Sequence, residues 1–510
     1  MNRLHAPAGR PGPGRARIAG RFRPVPFTVA PLAPVAAVAP ELATFAATGH
    51  PLADAALSEA LRRRADEIEA AFGAIEPVLR ELAPQQFEAG FAERASAQLR
   101  ARLGLDVPAE LLASSWSAPL DVRRLYAHCV LATFCRLVER AFDRRLAALS
   151  EGEDAEALIR RWGFHAVDIT PCADGRLSGV VDYILRVPPA VIVSRTSHAG
   201  ATFDVEETLR RWEAVELRRW REGRPSPAGA RTRYLKIGVY HYSSADPQHE
   251  GCAAHGSDAR RAAAAVLERL EQFEGAVRSI HSRDSAPAIL LVGVDTDTDA
   301  IAVHVPDAQG RMSVERRLDA MELYERTRPL SREAAKDAIR EAVAAAAHVP
   351  PGDVATEGMR WFCGYLLKNN LGQVDAVRAQ YGGTYADPGH TERLIVTGDP
   401  VDDVQLRNLA FQAQLETVEE GAADLDVGVR ILHRLHAPRS LAVPVLVHVR
   451  YDPRIPGARE RAESRARRLR SAISERYAPL ARSGALSLHA VVRAGDGTCL
   501  DALEPTEMSA

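Results

Sequence analysis

Cysteine is scarce in this chain, with six in 510 residues: Cys129, Cys135, Cys172, Cys252, Cys363 and Cys499. So few, spread so widely, exclude the disulfide framework of a small secreted scaffold. They fit a reducing cytoplasm, where thiolates stay free to bind metal. Also missing is any apolar run of the roughly 18 residues that a membrane span needs. The N-terminal region lacks the short apolar block of a secretory signal, so the expectation is a cytosolic protein with no membrane partner. Charge of one sign is lacking as well. Lys and Arg number 65 against 67 Asp and Glu, a formal net charge of -2. The molecule as a whole offers no field for nucleic acid or acidic lipid, and any electrostatic partner site must be local.

What is present is enough apolar material for several cores. The length suggests about three domains, and 46% hydrophobic with 26% charged residues is ordinary for a folded protein. Residues 1–45 stand apart. They carry Arg3, Arg10, Arg15, Arg17, Arg21 and Arg23, frequent Pro and Gly, and no acidic residue before Glu41. Such a segment buries too little to offset its ordering entropy and is expected to be a disordered basic tail. It is either a solvated tail or a docking arm for an acidic partner. Over residues 46–150 the apolar residues recur at three- and four-residue spacing, as in Val122, Leu125, Cys129, Phe134 and Val138, which predicts an all-helical domain. Cys129 and Cys135 fall on that apolar helix, where a free Cys usually just packs.

From residue 151 the texture alternates between strands and helices, which predicts an α/β domain over 151–392. Val180–Val187, Tyr234–Tyr242, Ala288–Val294 and Ala300–Val305 read as strands. Asp258–His281 reads as a helix, with Ser257 as its N-cap. Residues 393–510 repeat the plan: strand Leu394–Thr397, helix Val401–Glu419, strand Val443–Tyr451, helix Ala458–Tyr477, strand Leu486–Val492. Two echoes suggest duplication. Val167–Thr170 lead into Pro171 and a Cys-x-Asp-x-Arg turn, while Ile395–Thr397 lead into Gly-Asp-Pro-Val-Asp-Asp. Ile237–Pro247 and Val445–Pro453 both run from strand through polar turn to Asp-Pro. The second copy has no Cys or His at the matching places, so it reads as a diverged, metal-free repeat.

The unusual residues gather in two segments. Phe164–Arg176 places Cys172, Asp174 and Arg176 two apart after a short strand. Val239–Gly256 ends a strand at His241 and Tyr242, and then loops to Cys252 and His255. Two thiolates and an imidazole suit Zn²⁺ and leave a fourth tetrahedral position open. Strand ends are where open α/β sheets collect their sites. A zinc ion with an exchangeable water lowers that water's pKa to about 7 and makes a nucleophile for a small electrophilic carbon. An Arg176 fork would hold the Asp174 carboxylate away from the metal, leaving Asp174 to orient the attacking group and take part in proton movement. A closed site with a fourth protein ligand stays open, with His249 and His255 as candidates. The nucleobase deaminase pattern fails, because Gly175 stands where the second Cys of Pro-Cys-x-x-Cys should be.

Cys-x-Asp-x-Arg followed by a distant His and Cys resembles the β-type carbonic anhydrase site. More closely, Phe164–Arg176 and His241–Gly256 resemble the carboxysome shell carbonic anhydrases, once called the epsilon class. Ordinary β enzymes separate the His and second Cys by two residues, and the longer gap from His241 to Cys252 is the feature of the carboxysomal branch. The resemblance implies a β-carbonic-anhydrase-like α/β fold, with Cys172, His241 and Cys252 binding one Zn²⁺ per chain and Asp174 and Arg176 as the catalytic pair. The implied reaction is reversible hydration of carbon dioxide to bicarbonate. It further implies a homodimer inside the bacterial carboxysome, at the inner face of the shell, with the N-terminal tail docking on shell proteins or the carboxylase. Two other readings remain beside it: a zinc hydrolase of another small substrate, which predicts a roomy pocket, and a catalytically silent shell scaffold.

Overall fold

The computed structural model describes residues 55–139, 153–224, 234–281, 287–306, 311–346, 354–387, 389–401, 404, 406–415, 418–495, 497 and 499–503. The arginine-rich segment 1–45 lies outside them. Among the described residues no helix is long and apolar enough to cross a membrane.

Four helices come first: α1 (Ala55–Gly73), α2 (Ile75–Leu82), α3 (Phe91–Leu103) and α4 (Val122–Glu139). Ile75, Val78, Leu79 and Leu82 form one buried stripe on α2 at helical spacing. Their core continues without a break into Leu394, Val396, Leu446 and Val491 of a distant sheet, so the helical region is a cover for that sheet. Cys129 sits in this core, its thiol pushed up to about 12 by burial.

After α5 (Glu153–Arg161) come β1 (Ala166–Pro171), β2 (Ile192–Arg195), α6 (Val205–Arg221), β3 (Tyr234–Tyr242), α7 (Ala259–Ile280), β4 (Ala288–Asp295), β5 (Ile301–Pro306) and β6 (Met312–Asp319). They build one sheet in the order β2-β1-β3-β4-β5-β6. The first four strands are parallel, and β5 and β6 are antiparallel additions. Helices α8 (Ala320–Thr327), α9 (Arg332–Ala346) and α10 (Val354–Tyr381) follow. Phe362 and Tyr365 of α10 join the core of this sheet, where Phe362 meets Phe164 edge to face.

The last unit runs β7 (Leu394–Gly398), β8 (Ala410–Gln414), α11 (Val418–His436), β9 (Val443–Tyr451), α12 (Ala458–Arg476), α13 (Ala478–Arg482), β10 (Leu486–Ala494) and β11 (Asp501–Leu503). Its sheet order is β11-β10-β9-β7-β8, with β8, β7, β9 and β10 parallel and β11 antiparallel. That is the plan of the first sheet from β2 to β5, and the register agrees too. Pro171, at the end of β1, faces Val239, the sixth residue of β3; Gly398, at the end of β7, faces His448, the sixth residue of β9. Counting on, Asp399 occupies the place of Cys172, and Arg450 that of His241. Asp399 accepts hydrogen bonds from the Arg450 backbone (2.6 Å) and the Arg465 guanidinium (2.9 Å). An ion pair stands there instead of soft metal donors.

The two sheets meet edge to edge. Gln412 N donates to Ala173 O (3.0 Å) and Asn408 N to Gly175 O (2.9 Å), so the turn after β1 is gripped by the β8 edge of the second unit.

Three expectations need correction. Val180–Val187 is not a strand: Val180–Leu185 form a π-helical turn, with Val180, Val181, Ile184 and Leu185 buried. Their spacing of one, three and one fits a helical face, and the sheet edge beside β1 is taken by β2. Val401–Glu419 is not a helix. Ala410–Gln414 forms β8, and α11 starts only at Val418. Leu409, Phe411, Ala413 and Leu415 are all buried at a period of two, and pairing with β7 satisfies the backbone. Ser257 does not cap α7. It adopts φ 64°, and the Asp258 carboxylate accepts the Arg261 N–H instead.

One buried charge pair ties β1 to β3. Asp168 and Lys236 are register partners with fully buried side chains, and Lys236 Nζ lies 2.7 Å from Asp168 Oδ1. Tyr234 Oη donates to Asp168 Oδ2 (2.6 Å) and Lys236 Nζ to Thr170 Oγ1 (2.8 Å). Removing one partner of such a pair strands the other charge out of water. Lys236→Met should therefore cost about 3–5 kcal/mol in a urea-unfolding experiment. A loss below about 1 kcal/mol would mean that Tyr234 and the Arg211 guanidinium, 3.6 Å from Oδ2, together suffice for Asp168.

Candidate metal centre

Cys172 follows directly on the last residue of β1, His241 is the next-to-last residue of β3, and Cys252 precedes the 3-10 turn Ala253–His255 that leads into α7. Parallel pairing of β1 with β3 puts the first two at the same, carboxyl end of the sheet. The loop after β3 brings the third across to them. All three side chains are buried, and their donor atoms lie within 4.8 Å of one another. The two sulfurs are 3.9 Å apart. A disulfide needs about 2.05 Å, whereas two sulfurs on a tetrahedral zinc with bonds of about 2.3 Å sit about 3.8 Å apart. Neither imidazole nitrogen of His241 has a hydrogen-bond partner, although the side chain is fully buried. A buried imidazole left unpaired in this way costs free energy unless a cation takes its lone pair.

The electrostatics point the same way. Cys172 is pushed well above an ordinary thiol, first by its hydrogen bond to Cys252 and then by burial. That same hydrogen bond lowers Cys252, against its own burial. Two adjacent buried thiolates cannot both ionise unaided, and a dication between them removes the penalty. The donor set thus fits a soft-to-borderline divalent metal.

Asp174 and Arg176 lie beside it, both almost fully buried. Arg176 Nε donates to Asp174 Oδ1 (2.9 Å) and Nη2 to Oδ2 (2.8 Å), and the Arg176 backbone N–H also donates to Oδ1 (2.9 Å). The guanidinium is held in turn by the Glu250 carbonyl, 2.7 Å from Nη1. Burial alone would raise Asp174, but Arg176, then His241 and His390, hold it well below the usual carboxylate range. Asp174 Oδ2 also lies 3.3 Å from His241 Nε2, without hydrogen-bond alignment.

His390 and Glu392 complete the pocket, and sequence reasoning missed both. His390 Nε2 is 3.6 Å from Asp174 Oδ2 and 3.4 Å from Arg176 Nη2. Its Nδ1 pairs with Glu392 (3.0 Å), which also accepts the Gly175 N–H (3.2 Å). Asp174, His390 and Glu392 form a second group with metal-ligating side chains. Arg176 already saturates Asp174, so this group works as a hydrogen-bonded network. The signal was a His-x-Glu just ahead of the Leu394 strand, and nothing local links it to Cys172. His249 and His255 are not ligands in this arrangement: His249 is exposed and pairs with Asp246 (2.9 Å), and His255 stands outside the donor group.

With this geometry in view, comparison with known proteins is decisive. Residues 154–390 match the model of the carboxysome shell carbonic anhydrase catalytic domain, 50–142 the N-terminal model and 391–508 the C-terminal model of the same family. The carboxysome shell carbonic anhydrase of Halothiobacillus neapolitanus is 42% identical over 456 residues, covering 88% of each chain. The chain belongs to this family. Relatives of the same description from Parasynechococcus marenigrum (44% identical, 87% of this chain and 76% of the relative) and Prochlorococcus marinus strain MIT 9313 (41%, 88% and 87%) agree. Carbonic anhydrase is therefore the enzyme class, and a metal held by the buried Cys/His/Cys group accords with it.

The network also makes a pH prediction. Burial opposes charging of His390, yet Asp174 and then Glu392 push it up to about 9. The stability this confers is complete below the unfolded value of 6.5 and is lost as pH rises through about 9. The stability difference between wild type and His390→Gln should fall by roughly 3 kcal/mol between those limits. Urea titrations across the range measure it, and a difference that stays flat would contradict the assignment.

Proposed function

We propose that the chain hydrates carbon dioxide reversibly to bicarbonate with one zinc ion held by Cys172, His241 and Cys252. The observation that carries the reading is a fully buried imidazole, without a hydrogen bond, facing two sulfurs at the carboxyl end of a parallel sheet. When bound, zinc acidifies water toward neutrality and so supplies a hydroxide nucleophile for the carbon of CO2. Cys172 and Cys252 would balance the charge of the dication, and His241 would complete a set of three protein donors that leaves room for an exchangeable water.

Asp174, kept ionised by Arg176, accepts a hydrogen bond at a carboxylate oxygen from the attacking group and so orients it. The bidentate fork fixes that carboxylate and keeps it from filling the open corner itself. Arg176 has no proton to give at working pH, so its part is positional. His390, held by Glu392, adds positive charge beside Asp174. A small cleft bordered by Cys172, Asp174, Arg195, Val401 and Gln412 lies beside the Cys172 and Asp174 side chains.

We assign the tail to 1–45, the helical domain to 46–150, the catalytic domain to 151–392 and a diverged repeat to 393–510. The shared strand order and register support a duplication, and Asp399 and Arg450 account for the loss of the second metal site. Relatives named as carboxysome shell proteins support a place inside the carboxysome, where dehydration of bicarbonate would supply CO2 to the carboxylase. The arginine-rich segment would dock on the carboxylase or shell, and the chain would dimerise.

Stopped-flow CO2 hydration tests the chemistry. Cys172→Ser should lose zinc and activity together, and Asp174→Asn should keep zinc while the rate falls. A fully active Asp174→Asn would remove Asp174 from proton handling, and zinc bound without turnover in wild type would favour a silent scaffold. Deleting residues 1–40 should leave turnover unchanged and weaken salt-sensitive binding to the carboxylase or shell; unaltered encapsulation would refute the docking role.

A further inference from the structure

Among the described residues the second unit gathers no group of metal donors of its own, yet it reaches the candidate metal centre of the first along a continuous path. Asp424 lies on α11 in the second unit, and its side chain is only 10% exposed. Oδ1 accepts the Ala199 N–H (2.9 Å), and Oδ2 pairs with His198 Nδ1 (2.9 Å). One carboxylate thus holds two consecutive residues of the turn that passes beneath Cys172. The backbone of His198 is itself bound on both sides of Cys172: its N–H donates to Pro171 O (3.1 Å), and its carbonyl accepts the Ala173 N–H (2.9 Å). The turn then presents the Gly200 N–H to the Cys172 sulfur at 3.2 Å. Gly200 adopts φ +66°, and a Cβ there would meet His255 Nε2 at 2.4 Å, so only glycine fits this approach.

We propose that Asp424 is a positioning residue for the Cys172 sulfur, acting through the 198–200 turn and the Gly200 N–H···S hydrogen bond. The inference rests on the reading of Cys172 as a metal ligand. An N–H donor aimed at a thiolate fixes its direction and draws off part of its charge. Such outer partners are worth about 10–100-fold in metal affinity. The carboxylate is needed for both contacts at once, because it accepts from a backbone N–H and from the His198 ring together. The metal-free unit therefore does more than fill space beside the active one.

The test uses the full chain with zinc competed against a chelator, and the same chain loaded with Co(II), whose sulfur-to-metal charge-transfer band reports on the thiolate. Asp424→Ala should weaken zinc binding about 10–100-fold and shift the band to lower energy. Asp424→Asn keeps the shape and one acceptor, and should change both readouts in the same direction by less. Asp426→Ala is the control on the same helix. Asp426 bonds Arg476 and Tyr477, so this variant should lower the urea midpoint and leave affinity and band untouched. Folded Asp424 variants with zinc affinity within about twofold of wild type and an unmoved band would overturn the proposal, and Asp424→Asn decides alone if the alanine variant does not fold. A wild-type chain that takes up no zinc and shows no sulfur band with Co(II) would instead overturn the metal-centre reading beneath it.

Discussion

Two buried sulfurs held 3.9 Å apart set the terms for everything around them. Neither can carry its charge there alone, and the neighbouring His241 ring has no hydrogen bond to offer or receive. The fold must supply rigid walls, a cation and a way to keep other charges from collapsing onto that cation. Parallel pairing supplies the walls, because β1 and β3 are buried along almost their whole length and end together. Arg176 restrains Asp174, the nearest competing carboxylate, with two side-chain bonds and one backbone bond. A carboxylate so placed, ionised and unable to swing, stands beside the donor group without joining it.

The second sheet has the same strand order and register with different residues in its turns. Where the first sheet ends β1 on a sulfur, the second ends β7 on Asp399, and the partner strand brings Arg450 and the following helix Arg465. Hard oxygen donors already paired with guanidinium have no use for a soft dication. The strands, crossovers and register persist because they bury Val445, Val447 and Val449 whatever the turns contain. Fold and site are thus separable, and a few turn residues decide which copy carries chemistry.

Much of this was legible in the chain itself. Tyr234–Tyr242 and Val443–Tyr451 stand out as short apolar runs closed by polar turns, and both are strands with those bounds. The donor group was legible because Cys172 and His241 each sit at such a closure and Cys252 follows within one loop. The rest was hidden for identifiable reasons. Val180–Leu185 has the β-branched run of a strand but no free sheet edge to join. β8 lies in a stretch whose apolar spacing fits helix and strand alike until β7 pairs with it. His390, Glu392 and Asp424 are far from Cys172 in sequence, and only the meeting of the two sheets brings them to it.

That meeting gives the second unit a part in holding the turns of the first. The turn 172–176 is bound by Gln412, Asn408 and Glu392 from one direction, and its neighbour 198–200 by Asp424 from another. Apart from the Asp424 contact to the His198 ring, each is a hydrogen bond to backbone, so it fixes position without depending on the Cys172, Asp174 or Arg176 side chains. A turn exposed to water at a sheet edge would sample many conformations, and each would move a sulfur, a carboxylate or both. Covering it with the β8 edge replaces water by fixed donors and pairs backbone groups of that edge in one step. The second unit is thereby the outer wall of the turns that carry Cys172 and Asp174.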